Sequence, residues 1–180
     1  METLECINTR RSIRKFKSEA VSHETIDSII TAASMAPSWK NTQITRYHII
    51  EAPDLLNEIA DHCVLGFEHN RELIKGAPQL VVVSMIEKRC GYEKDGSFTT
   101  SKEDRWEMFD AGIASQTFCL AAHDLGVGTV ILGIFDEDQV AKAIALPEGQ
   151  KVAALIAMGY PDQECQAPKR KTVEELVQYL

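Results

Sequence analysis

The apolar residues of this chain follow two repeats, and the alternation between them lays out its elements. Ile26, Ile29, Ile30 and Ala33 recur at i, i+3, i+4 and i+7 behind Ser22, which predicts a helix with Ser22 as its N-cap. Pro37 closes that helix and holds Ala36 out of the helical region. Ahead of it, residues 2–9 predict a short helix carrying Leu4 and Ile7. Tyr47–Ile50 reads as a strand. Pro53 then stands at a first helical position, and Leu55, Leu56, Ile59, Ala60 and Cys63 give the inner face of the helix it opens. A further short helix is expected over His69–Lys75, closed by Gly76.

From there the pattern changes period. Gln79–Ile86 (QLVVVSMI) is an unbroken, β-branched apolar run, the mark of a central strand covered on both faces. Residues 127–132 (VGTVIL) and 151–158 (KVAALIAM) read as two more core strands. Between the first of these runs and the next helix lies a polar connection, Glu87–Lys102, long enough to be a candidate lid. A long helix is expected from Glu103 to a stop at Gly126. Its middle, residues 111–122 (AGIASQTFCLAA), is apolar or small almost all round, so it is expected to be buried on every side. In a small domain such a helix calls for a partner subunit. Asp136 caps a helix with Val140, Ala143 and Ile144 on its inner side. After Gly159-Tyr160-Pro161 comes a polar arm, and Thr172-Val173-Glu174-Glu175 is a capping box opening a short terminal helix. An apolar helix at the end of a polar arm is expected to dock on something.

Composition adds bounds to this outline. A chain of 180 residues buries one good core, so residues 1–180 are expected to form a single domain. No apolar run approaches the roughly 18 residues of a membrane span, and the N-terminus lacks the apolar centre of an export signal. Five scattered cysteines, never spaced C-x-x-C, fit reduced thiols and a cytoplasmic location.

Charge changes the picture more. The formal net charge is −8, yet five of the eight residues from Arg10 to Lys17 are basic. Arg10, Arg11 and Arg14 each carry a fork of N–H donors, with the Ser12 hydroxyl among them, a mixture suited to a terminal phosphate. A solvated basic patch is the plainer reading of the same residues. Nucleic acid fits poorly, because the rest of the chain repels a polyanion. The five histidines show no metal-ligand spacing, and no metal is expected. No Ser-His-Asp or Cys-His grouping stands out, and Gly126, Gly128 and Gly133 do not make a G-x-G-x-x-G turn.

Four stretches together resemble the flavin-dependent nitroreductase family: Arg10–Phe16 (Arg-Arg-Ser-x-Arg-x-Phe), Pro37–Gln43 (Pro-Ser-x-x-Asn-x-Gln), the Asp110–Ala122 helix running into Leu125–Thr129, and Gly159–Pro161. The resemblance implies an α+β fold, a central mixed sheet wrapped by helices, in an intertwined homodimer whose 162–180 arm crosses to the other subunit. It also implies FMN at the subunit interface. Arg10, Arg11, Ser12 and Arg14 would hold its phosphate and ribityl chain, with Lys169 and Arg170 adding charge. Pro37, Ser38, Trp39 and Asn41 of the partner subunit would meet the ring edge, with Gln43 nearby. Backbone N–H groups of Ile131, Leu132 and Gly133 would reach flavin N5 and O4. The implied activity is ping-pong hydride transfer from NADH or NADPH to a nitroaromatic, quinone or similar small electron acceptor. No catalytic side chain is needed, since the cofactor carries the chemistry. The alternatives are a specialised relative, reductively dehalogenating or flavin-consuming, and a flavin-binding store or sensor with little turnover. Ile44-Thr45 and Leu132 depart from common family residues, and the short segment before the long helix leaves the acceptor open.

Overall fold

The computed structural model describes residues 1–180. Four strands form one sheet in the order β1-β2-β4-β3: β1 (Thr45–Ile50), β2 (Gln79–Ile86), β3 (Gly128–Leu132) and β4 (Gln150–Gly159). Each neighbouring pair is antiparallel. The mixed sheet expected from sequence is therefore corrected to an antiparallel one. Its only parallel element is a single bridge between Ser12 and Thr129. No helix is long and apolar enough to cross a membrane.

Seven helices surround this sheet: α1 (Thr3–Thr9), α2 (His23–Ala33), α3 (Pro53–His62), α4 (Glu68–Lys75), α5 (Arg105–Asp124), α6 (Glu137–Ala143) and α7 (Val173–Leu176). The β2 run explains the layering. Leu80 and Val82 point into a core shared with Leu56, Ile59, Ile74 and Val140 of α3, α4 and α6. Val81 and Val83 point the other way, into a core with Ile26 and Ile29 of α2 and Phe118 and Cys119 of α5. Both faces of β2 are covered, so apolar residues stand at successive positions rather than alternate ones. Full burial of each such aliphatic side chain contributes about 1.5–3 kcal/mol.

Local rules set the boundaries. Ser22 accepts the Thr25 N–H at the start of α2, and Asp136 accepts the Gln139 N–H at the start of α6. Thr172 and Glu175 close the expected capping box on α7. Helix α2 ends at Ala33, ahead of the Pro37 stop, through a C-cap at Ser34.

Helix α5 is covered by its own chain on one side only. Ala111, Ala114, Ser115, Phe118, Cys119 and Ala122 are buried, but a stripe through Met108, Phe109, Gly112 and Gln116 is exposed in the single chain. The sheet and α2 together cover only one side of a twenty-residue helix. The connection from Glu87 to Lys102 carries local order, with a bridge between Tyr92 and Phe98.

Candidate functional site

The N-terminal basic segment lies strapped along the β3–β4 edge. The Ile13 N–H donates to Thr129 O and the Lys17 N–H to Tyr160 O, while the Asp162 N–H returns to Lys15 O. Two glycines give the clearance: a Cβ on Gly128 would stand 2.8 Å from Ile13, and one on Gly159 would stand 3.2 Å from Phe16. This strap fixes where the arginines point.

Arg10, Arg11, Ser12, Arg14 and Arg170 line one cavity of about 420 Å³, together with Cys165 and Pro168. None of the four guanidiniums forms an ion pair with a carboxylate. Arg11 donates to the carbonyls of Asn8 and Arg10, and its Nε is buried without any partner. Arg14 donates to Ser12 O at 3.3 Å. Lys169 is exposed and stands outside this cavity, so of the expected basic pair only Arg170 joins the cluster. Four positive charges in one concavity with no counter-charge make a site for an anion.

The Pro37–Gln43 turn is a second, separate site. Its backbone is strained: Lys40, Asn41 and Gln43 have φ of 44°, 56° and 49°, left-handed values unusual for residues other than glycine. Several contacts hold it there. The Trp39 N–H donates to the buried Asp110 carboxylate at 2.8 Å, the Gln43 N–H donates to Ser38 Oγ, and Gln43 Nε2 donates to Asn41 Oδ1. The Trp39 ring packs on Trp106, centroids 4.9 Å apart, and Lys40 pairs with Glu93. Pro37, Ser38 and Gln43 line a cavity of about 330 Å³ with Arg46, Tyr47 and Asp110. Burial pushes the Tyr47 hydroxyl up to about 12.

Asp110 also accepts the Cys90 thiol at 3.1 Å, and burial, then Asp110 itself, raises the Cys90 pKa. Nearby, Glu107 is buried and accepts the Lys88 N–H, and burial raises its pKa. The sequence reading left both acids without a role. Their signal was present: two carboxylates three apart on the inner side of an apolar helix need buried donors. Of the strand-end residues, Ile131 and Gly133 are exposed while Leu132 is buried in the core. They line neither cavity.

The two sites stand at opposite ends of α5. Asp110 holds the turn, and His123, bonded to Thr9 at 2.9 Å, holds the segment leading to the arginines. Thirteen residues separate these anchors, about 20 Å along the helix at 1.5 Å per residue.

An antiparallel α+β sandwich with a strapped arginine cavity and a strained turn at the far end of a central helix defines the class. The chain belongs to the nitroreductase family, whose profile matches residues 7–72 and 64–160. It is 33% identical over 168 residues to a protein of Methanothermobacter thermautotrophicus named as an NADH dehydrogenase/NAD(P)H nitroreductase, covering 89% of this chain and 78% of that one. The crystal structure of a nitroreductase family protein from Clostridium novyi NT matches with a TM-score of 0.77 at 29% identity, over 90% of this chain and 86% of the other. The NADPH:FMN oxidoreductase of Vibrio harveyi, solved with NAD+, matches with a TM-score of 0.82 at 25% identity, over 98% of this chain and 76% of that one.

Proposed function

We propose that this chain is an FMN-dependent NAD(P)H oxidoreductase that delivers electrons to nitroaromatic, quinone or similar electron-poor acceptors, and that it works as a homodimer. One observation carries the reading: four guanidiniums meet in one cavity with no carboxylate to answer them. The buried, unpartnered Arg11 Nε is a donor in want of an acceptor, and phosphate oxygens match paired guanidinium N–H groups. Bound there, FMN supplies the hydride chemistry, accepting from NADH or NADPH and giving to the acceptor. Arg10, Arg11, Ser12, Arg14 and Arg170 serve to anchor the phosphate.

The same geometry supports the dimer. The anchors of the two sites, Asp110 and His123, lie about 20 Å apart along α5, and no residue lines both cavities. The turn of a second copy supplies the ring contact, held in shape by Asp110. The exposed α5 stripe and the exposed apolar residues Val173, Leu176 and Leu180 are the surfaces that a second copy would bury.

An absorbance spectrum of the purified protein tests the reading. Flavin bands at one FMN per chain, bleached by NADH or NADPH and restored by a quinone, are the expected result. A protein that stays colourless after incubation with FMN overturns it.

A further inference from the structure

A thiol stands among the arginines. Cys165 lines both the arginine cavity and an adjoining cavity of about 840 Å³, and Arg10 and Arg11 line both as well. The sulfur is held in place: Gln163 Nε2 donates to it at 3.0 Å, and the thiol points at Ser12 O, 3.8 Å away. Arg14 and Arg170 add their charge on one side, and Glu164 is the one carboxylate in the wall of the larger cavity. Arg11, whose buried Nε has no acceptor, belongs to both walls.

The other four cysteines differ. Cys6, Cys63, Cys90 and Cys119 are buried, and burial raises the pKa of each. Cys165 alone is partly exposed. A thiol that can be reached and that sits against unanswered positive charge is the kind that exchanges with disulfides. The same charge selects among them, since guanidiniums draw in carboxylates and repel cations.

We propose that Cys165 captures small disulfides whose halves carry carboxylates, holding one half as a mixed disulfide with its carboxylates on Arg10 and Arg11. The Cys165 thiol gives its proton to water, and its sulfur attacks one sulfur of the incoming disulfide. A new S–S bond forms, the old one breaks, and the other half leaves as a thiolate that takes up a proton. Cys165 is oxidised and the departing half is reduced, so no further oxidant enters. The captured half fills the space before the guanidiniums and closes it to other anions until a reducing thiol reverses the exchange. Capture needs only the thiol and the charge, so it stands apart from the flavin reading.

Intact-mass analysis and peptide mapping of the full-length chain, freed of bound anions, test it. The probes are glutathione disulfide (anionic), bis(2-hydroxyethyl) disulfide (neutral) and cystamine (cationic), each rate divided by that probe's rate with free N-acetylcysteine. On this scale glutathione disulfide should react at least about tenfold faster than the other two, giving one adduct, at Cys165. The preference should shrink in high salt and with added inorganic phosphate, neither of which needs a variant. Arg10→Gln should reduce it severalfold, and Cys165→Ser should take no adduct. Adducts spread over other cysteines, equal normalised rates for the three probes, or a preference that salt, phosphate and Arg10→Gln leave unchanged would overturn the inference. A protein that shows the preference yet stays colourless with FMN removes the flavin reading alone.

Discussion

The buried carboxylate of Asp110 accepts the backbone N–H of Trp39 at 2.8 Å and thereby fixes a strained turn to the N-terminal half of α5. The same oxygen accepts the Cys90 thiol, so turn, loop and helix meet at one atom. Asp110→Ala would leave both donors buried and unpaired. Hydrogen bonds to a charged group contribute about 1.5–3 kcal/mol each, so the variant should lose a few kcal/mol. Its urea midpoint should fall with little change in slope, and Asp110→Asn should fall less. An unchanged midpoint for Asp110→Ala would mean that the turn holds itself.

Removing Arg10 and Arg14 together deletes two of the four guanidiniums around the anion position. At about 1.5–3 kcal/mol each, the loss amounts to roughly two to four powers of ten in FMN affinity. Riboflavin, which lacks the phosphate, should change little. Equal losses for both flavins, measured by fluorescence titration, would contradict the phosphate assignment.

The half-exposed Met108 and Phe109 on α5 should be covered by a second copy in solution. Light scattering should give the dimer mass. Deleting the chain from Asp162 onward removes Arg170 and the exposed apolar α7, and should yield insoluble or flavin-free protein. A well-folded, FMN-loaded monomer from that truncation would rule out the dimer argument.

The histidines should matter for stability more than for turnover. His48 Nε2 lies 2.8 Å from Ser84 Oγ, which donates to Gln150 at 2.7 Å, and burial lowers the His48 pKa from 6.5. The folded ring thus protonates at lower pH than the unfolded one. Its contribution is complete above the unfolded pKa and is lost as pH falls through 6.5 toward the folded value. Between about pH 7 and 5 the native protein should therefore lose more thermal stability than His48→Gln.

Steady-state kinetics should be ping-pong, with parallel double-reciprocal lines and a shallow pH profile from about 6 to 8. His48→Ala and His123→Ala should each stay within a few-fold of native turnover. A histidine variant that retains flavin yet loses turnover would place proton transfer in the protein.

Much of this fold was legible because it obeys local rules. Gln79–Ile86 matches β2 at both ends, since an apolar run bounded by polar residues carries its own limits. Ser22, Asp136 and Thr172 announced their helices through side chains that can reach only their own first turn. The basic segment stood out in the sequence as a cluster, and the structure gathers Arg10, Arg11, Ser12 and Arg14 with Arg170 into one cavity. What escaped depends on contacts far apart in sequence. Asp110 meets Trp39 across 71 positions, and Gln79 bridges Val21 and Glu51 from a fully buried site. Which face of α5 its own chain leaves open was not legible for a different reason. A small or apolar residue reads the same whether its own chain or another copy covers it.

The strap from Ser12 to Lys17 has a consequence for how this protein behaves in concentrated solution. Strand β3 stands at the margin of the sheet, where unpaired backbone groups invite another molecule to add a strand. The Ile13 N–H occupies the carbonyl of Thr129 there, and the Ile13 side chain fills the gap over Gly128. The residues that gather positive charge thus also shield the margin from self-association. Displacing the N-terminus, by a bulky fusion or by Gly128→Val, would open a sticky seam as well as disturb the anion site.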